Sequence, residues 1–309
     1  MTRVCRSGVL PVDKPSGATS FDMVALLRRR LEVRRVGHAG TLDPAAVGVL
    51  PLLIGEATKL VPYLADEDKE YVATIRFGVT TDTQDLTGRV LSTAPVPALT
   101  RERLIVATRP FVGRIRQVPP MFSALHHQGR RLYELAREGV EVPREPRDAM
   151  VHDIVVDAVT DVTATLRIVC GRGTYVRTLA ADLGAALGCG GAIECLVRSR
   201  VGAFHRDGAL PAAEIAAALP ESLWARVLPP EATLGHLRAL HLAGAAATAF
   251  VHGQAIDLAQ GVDASGGFVR IHDEAGRMLG IGELVLGGRT LKPSRILHAD
   301  RPGTRVLPA

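Results

Sequence analysis

The segment Gly37-His38-Ala39-Gly40-Thr41-Leu42-Asp43-Pro44 holds the residue types in this chain best suited to chemistry. A carboxylate sits in a glycine-rich stretch, where small residues let a ligand approach the backbone closely. Pro44 disfavours helical backbone angles at Asp43. A carboxylate so placed can attack an electrophilic carbon or stabilise charge developing on a sugar ring, as in glycoside hydrolysis. Asp-Pro is also an ordinary turn signal, so the segment alone leaves both readings open. The cysteines, Cys5, Cys170, Cys189 and Cys195, show no CxxC spacing, and the ten histidines show no HExxH pattern. This argues against a metal site or a disulfide framework and for reduced thiols in a cytosol.

Several elements must position that loop. The spacing predicts a strand over Gly8–Val12, closed by Asp13-Lys14-Pro15 and the loop SGATS. Ser20 can cap a helix whose apolar residues Phe21, Val24, Leu27 and Leu31 recur at near-helical spacing, with Arg28, Arg29 and Arg30 on the other side. Val47–Ile54 reads as a buried strand. Glu70–Phe77 alternates, with Tyr71, Ala73, Ile75 and Phe77 on one face. Residues 81–88, TDTQDLTG, read as a polar turn, and Arg101–Ala107 as a helix. Residues 117–139 begin as a proline-broken loop and end in a helix; residues 143–147 read as an exposed connection. Thr163–Cys170 and Ile193–Val201 are strand-like. Between them, GRGTYVRTLAADLGAAL is a glycine loop entering a helix, with Tyr175, Leu179, Leu183 and Leu187 in one row and Arg177 near its start.

A boundary is expected near Leu228-Pro229-Pro230, followed by a small β-rich domain. The length of 309 residues agrees with two domains. Net charge is +5, from 37 basic and 32 acidic residues, which admits a nucleic-acid partner without requiring one. Only Lys14, Lys59, Lys69 and Lys292 are lysines; the other basic residues are arginines, whose planar fork suits phosphate and base contacts. The N-terminus MTRVCRSGVLPVDKP lacks an apolar signal core, and no stretch approaches the ~20 apolar residues of a membrane span. A soluble cytoplasmic protein is expected.

The run VGHAGTLDPAAVGVLPLLIGEATKL resembles the signature of TruB-type tRNA pseudouridine-55 synthases. Four further segments resemble the same family in the same order: DKPSGATS, KEYVATIRFGVTTDTQDLTG, QVPPMFSALHHQGRRLYELAREG and GRGTYVRTLAADLG. The C-terminal GIGELVLGGRTLKPSRIL looks like the RNA-binding PUA domain that follows the catalytic domain in that family. Two positions depart from the pattern: His126 stands where the family usually has Lys, and Val47 where it often has Thr.

The resemblance implies a mixed α/β (α+β) catalytic domain with a largely antiparallel sheet over residues 1–228. It further implies an RNA-gripping insertion at about 110–147 and a small β-barrel-like PUA domain over 229–309. The implied reaction isomerises uridine 55 in the T loop of tRNA and requires neither metal nor organic cofactor. Asp43 is implied as the essential carboxylate and Arg177 as its ionic partner, which otherwise reads as an exposed helix-start arginine. Tyr71 is implied to stack on the flipped uracil and serve as base; by pattern alone it is a packed strand tyrosine. Tyr175 and Leu196 are implied as pocket walls, and His38 as the support for the flipped conformation. Lys14 either contacts phosphate or braces the Asp43 loop, the second being preferred. Arg130 and Arg131 fall in the insertion and Arg34 and Arg35 flank the catalytic loop, each equally readable as solvated surface charge. The expected partner is the tRNA T arm, bound by a monomer with no obligate protein partner and no membrane, with a secondary chaperone action on tRNA folding. The rivals are a nonenzymatic RNA chaperone and a relative acting on ribosomal RNA within a protein complex.

Overall fold

The structure is a computed structural model that describes residues 6–258, 267–285 and 287–297. Parts of the expected PUA domain, residues 259–266, 286 and 298–309, and with them the end of the expected tail, lie outside the described residues.

The chain opens with strand β1 (Gly8–Lys14), helix α1 (Ser20–Leu31), β2 (Val36–His38) and β3 (Val47–Ile54). A short helix α2 (Val61–Ala65) leads to β4 (Lys69–Phe77), then to a hairpin of β5 (Val79–Thr81) and β6 (Val90–Thr93). Helix α3 (Arg101–Thr108) and β7 (Gly113–Gln117) precede a small hairpin of β8 (His126–His127) and β9 (Arg130–Arg131), closed by α4 (Leu132–Arg137). Then come β10 (Arg147–Val159), β11 (Thr163–Cys170), α5 (Val176–Ala186), β12 (Gly191–Val201), β13 (Phe204–His205) and β14 (Leu210–Pro211). Helices α6 (Ala212–Ala217) and α7 (Pro220–Trp224) lead to β15 (Ala239–His241), α8 (Gly244–Val251), β16 (Ile256–Asp257), β17 (Gly267–His272), β18 (Met278–Val285) and β19 (Thr290–Ile296).

Ten strands form one sheet with the path β14-β1-β3-β12-β4-β11-β10-β7; β2 adds to β3 and β13 to β12. Only β1–β14 and β3–β12 run parallel, so the sheet is mixed and largely antiparallel, as expected. Alternation explains β4: Ala73, Ile75 and Phe77 are buried, while Arg76 is exposed. The parallel contact of β3 with β12 is unusually close. A Cβ on Gly48 would stand 2.2 Å from the Arg198 carbonyl oxygen, and Gly48 has φ +114°, so only glycine fits.

Two expectations for α1 are corrected. Thr19, not Ser20, is the N-cap: Thr19 and Asp22 form a reciprocal capping box. The buried stripe is Met23, Val24, Leu27 and Leu31, while Phe21 is 63% exposed. Once the helix begins at Ser20, Met23 and Leu27 are stacked one turn apart toward the sheet. Phe21 falls on the flank, where the Arg28 guanidinium lies 5.9 Å from its ring centre.

Five strands form the second sheet in the order β15-β17-β18-β19-β16. One face carries its own core of Leu242, Phe250, Ile256, Val269, Ile271, Leu279, Leu284 and Leu291. Its other face sends Met278, Ile281 and Leu297 into a cluster with Val9, Val49, Leu53 and Leu60 of the first sheet region. The expected boundary falls where the chain still belongs to the first sheet region. Leu228 exchanges two backbone hydrogen bonds of 2.9 Å with Val9, and Leu234 is buried in the shared cluster. The Lys59 ammonium donates to the Ile296 carbonyl at 2.8 Å, and the Tyr63 ring meets Phe268 edge-on at 5.2 Å.

Ile281 is fully buried in that shared cluster. Ile281→Ala should cost about 2–5 kcal/mol of stability in urea denaturation. It should also speed amide hydrogen exchange at Val49 and Leu53 in the first sheet, because their packing loses the same methyl groups.

Candidate active site

The loop that carries Asp43 has no regular structure between β2 and β3, so its backbone must find partners elsewhere. It finds them in order. The carbonyl of Gly40 accepts from Arg198 Nη2 at 3.2 Å and that of Thr41 from Arg198 Nη1 at 3.5 Å. Ser20 Oγ both accepts from Leu42 N–H and donates to Leu42 O, at 2.9 and 3.1 Å. Thr19 caps α1, so the Ser20 hydroxyl is left free to do this. Asp43 O accepts from Ala46 N–H, Pro44 O from Gly17 N–H and Lys14 Nζ, and Ala45 O from Ser16 Oγ. On either side of Asp43, Leu42 and Ala46 are plugged into the main core.

Arg177, 134 positions away in sequence, clamps the carboxylate. Its Nε donates to Asp43 Oδ2 at 2.7 Å and its Nη2 to Oδ1 at 3.2 Å. The two-pronged geometry fixes direction as well as distance. The remaining donors reach the carbonyls of Thr83 at 2.7 Å and Phe122 at 2.8 Å. The Arg177 side chain is 7% exposed and that of Asp43 37%, so the cation stands behind the carboxylate and leaves its outer edge open. Arg177 lies in the first turn of α5, whose entry is held by Gln117. That buried amide accepts from Tyr175 N–H at 3.0 Å and donates to Tyr175 O at 3.2 Å.

Around this pair lie the residues expected for a pocket. Tyr71 on β4 and Leu196 on β12 both belong to the core cluster that also holds Leu42. Tyr71 is flanked by Ile168 on one strand and Arg198 on the other. Burial raises its pKa above the ordinary 10.0; the Arg198 charge pulls it back, the Cys170 thiol pushes it up, and an Arg198 hydrogen bond pulls it back again. Tyr71 is therefore a neutral phenol at pH 7. Burial likewise raises Tyr175. His38 on β2 has a buried Nδ1 without a partner, and burial, then the Arg198 charge, lowers its pKa. It is a neutral ring at pH 7.

Lys14 is fully buried, and its ammonium donates to the carbonyls of Pro15, Ala18 and Pro44 at 2.9, 2.7 and 3.1 Å. This geometry is that of a brace beneath the Asp43 turn. Arg130 and Arg131 lie apart from this cluster, exposed on the β8–β9 hairpin; Arg130 pairs with Glu138 at 2.5 Å. His126 is exposed on the same hairpin, and Val47 is half-buried opposite Val197. Arg35 pairs with Glu56 at 2.7 Å, and Arg34 is exposed. Sequence reasoning missed Arg198 and Gln117. The available signal for Arg198 was its parity: it is two residues from Leu196 in a strand and shares its face. Among the described residues, no group of three or more His, Cys, Asp and Glu side chains could hold a metal ion.

The mixed sheet presents a carboxylate clamped by a buried guanidinium, and the comparisons place the chain in the pseudouridylate-synthase class. The family described as TruB family pseudouridylate synthase (N terminal domain) matches residues 28–176. The tRNA pseudouridylate synthase B C-terminal domain matches 177–235, and Pseudouridine synthase II TruB, C-terminal, matches 239–297. The tRNA pseudouridine synthase B of Moorella thermoacetica is 45% identical over 301 residues, covering 94% of this chain and 99% of its own. That of Aromatoleum aromaticum is 43% identical, covering 94% and 92%. The chain belongs to the TruB family. The fold is also that of a chain in the crystal structure of a Cbf5-Nop10-Gar1 complex, with a TM-score of 0.74 at 24% identity, over 95% of this chain and 85% of that one. No helix among the described residues is long and apolar enough to cross a membrane.

Burial lowers the Lys14 pKa from 10.5 to about 8, against the opposing pull of Asp43. Between those two values the unfolded chain holds the proton that the folded one has released. Stability therefore rises with pH across that window. The wild-type unfolding free energy, measured against Lys14→Met by urea denaturation, should climb from pH 8 toward pH 10 and stay level below pH 7.

Proposed function

We propose that the protein converts uridine 55 in the T loop of tRNA to pseudouridine, with Asp43 acting at the sugar. The observation that carries this reading is the Asp43–Arg177 clamp with its open carboxylate edge, next in the chain to Leu42, which shares a core cluster with Tyr71 and Leu196. Two relatives named tRNA pseudouridine synthase B, aligned over nearly the whole chain, support tRNA as the substrate.

The reaction is an isomerisation. The C1′–N1 bond breaks, the uracil turns within the pocket, C5 bonds to C1′, and the proton on C5 leaves while N1 gains one. No atom or electron is lost overall. Asp43 serves either as nucleophile at C1′ or as the carboxylate that steers a glycal-like path. Arg177 pairs with it and aims it. Tyr71 and Leu196 hold the detached uracil between them, and Tyr71 is the base for the C5 proton. A stacked T-loop base must first be extruded. In this reading neutral His38 fills the space it vacates and Tyr175 closes the pocket. The exposed Arg130 and Arg131 grip phosphate. Residues 1–228 act as the catalytic domain and 229–309 as the PUA domain. The protein works as a monomer in the cytoplasm, and prying open the T loop also lets tRNA refold. Mapping pseudouridine in cells that lack the protein separates this reading from its ribosomal rival: loss confined to ribosomal RNA would sink the tRNA assignment.

Asp43→Asn should abolish tritium release from tRNA labelled at uridine C5 while binding stays within a few-fold. Asn keeps an acceptor for Arg177, whose other donors already have the Thr83 and Phe122 carbonyls, so the fold should survive. Substantial turnover by this variant would remove Asp43 from its role. Tyr71→Phe should keep the stacking face and lose about 10²–10⁴ in single-turnover rate. A near-native rate would make Tyr71 a packing residue only.

A further inference from the structure

Arg198 is the largest fully buried side chain of the protein, at 1% exposure, and among the described residues no carboxylate pairs with it. A buried cation without an anion is costly unless its donors are all used. Here each of its three nitrogens donates to the chain between the end of β2 and the start of β3. Nε donates to Val49 O at 2.8 Å, Nη2 to Gly40 O and Nη1 to Thr41 O, so the guanidinium spans the loop from the end of β2 to the start of β3. The backbone of Arg198 is pressed against Gly48, the one residue small enough to lie there. Across the sheet, Arg198 stands directly opposite Tyr71 in the register of β12 and β4. Residues opposed in this way point to the same face with their side chains in contact range.

We propose that Arg198 is a positioning residue for the reaction: it holds the Gly40–Thr41 segment that aims Asp43, and it places a fixed positive charge against the Tyr71 hydroxyl. This rests on the reading of Tyr71 as the base. A buried phenol resists losing its proton, and the anion it becomes needs a nearby cation. The charged and titratable groups that act on Tyr71 are Arg198 from β12, Cys170 from β11 and Asp43 from the loop. Of these only Arg198 favours the phenolate, through its charge and its hydrogen bond; Cys170 and Asp43 oppose it. The same charge lowers the pKa values of Lys14, His38 and Lys69, which places Arg198 at the electrostatic centre of the site. Lysine would keep the charge but not the flat fork that reaches three carbonyls.

The test separates charge from fork. The protein has four tyrosines. With 3-fluorotyrosine at all four, ¹⁹F NMR follows each titration, and Tyr71→Phe assigns the Tyr71 signal. In Arg198→Gln that signal should titrate at higher pH than in the wild type. In Arg198→Lys it should remain near the wild-type position. Single-turnover pseudouridine formation on tRNA should fall on the order of 10²-fold in Arg198→Gln, with RNA affinity within about twofold. It should fall by a smaller factor in Arg198→Lys. An unmoved Tyr71 titration in Arg198→Gln, or a rate within twofold of wild type, overturns the proposal. If Arg198→Gln fails to fold, Arg198→Lys decides alone: reduced rate with the Tyr71 titration in place supports the fork, and an undiminished rate overturns it. A wild-type protein that forms no pseudouridine overturns the functional reading instead, while the titration, which needs no RNA, still reports on Arg198.

Discussion

A carboxylate on an irregular glycine-rich loop has no secondary structure to hold it still, and in this protein the backbone carbonyls supply what the loop lacks. Every carbonyl from residue 40 to residue 45 accepts a hydrogen bond, and all of them except that of Asp43 accept from outside the loop. The donors are drawn from β12 for residues 40 and 41, from α1 for residue 42, and from the segment after β1 for residues 44 and 45. The loop is thus defined by the places where three distant pieces of chain come together. Gly40, at φ +86°, lies against the Arg198 guanidinium, and Leu42 and Ala46 pin the ends into the core. Moving any one of these donors would move the acid.

The second consequence is electrostatic. Lys14, Arg177 and Arg198 are all buried close to this turn, and only Arg177 has a carboxylate partner within ion-pair distance among the described residues. Such an excess of buried positive charge is expensive for the fold and is tolerated because carbonyl oxygens absorb the donors. In the proposed reading, the same arrangement suits a site where negative charge forms on a departing uracil or on a phenol. Lys14 shows the cost in its lowered pKa, and His38 answers by staying neutral. Preorganised charge of this kind requires no rearrangement when the reaction begins.

The clamp also ties the site to the rest of the molecule. Arg177 donates to Phe122 O, in the segment that leads into the exposed β8–β9 hairpin, and Gln117 holds the backbone of Tyr175 from the base of the same segment. The insertion and the acid therefore share one guanidinium. On the opposite side, the second sheet is joined to the first through a common apolar cluster rather than a bare linker. Beyond the proline pair at 229–230, Leu234, Met278 and Ile281 all pack into that shared cluster.

The sequence by itself determined the local elements and put forward Asp43 as the candidate acid. Alternation in Glu70–Phe77, the apolar run of Val47–Ile54 and the glycine-rich loop ending in Asp-Pro each carry their structure in neighbouring residues, and the ordered segments pointed to Arg177, Tyr71 and Leu196. It misassigned the cap of α1, because Thr19 and Ser20 are equally good capping residues on paper and only the pairing of the Ser20 hydroxyl with the Leu42 backbone decides between them. It passed over Arg198 and Gln117 and left the place of Lys14 open, and for all three the reason is the same. Their partners are backbone carbonyls and N–H groups, which look alike at every position in a sequence. Which carbonyl lies within reach of which side chain is decided only when strands 150 residues apart, as Val49 and Arg198 nearly are, pair in one register.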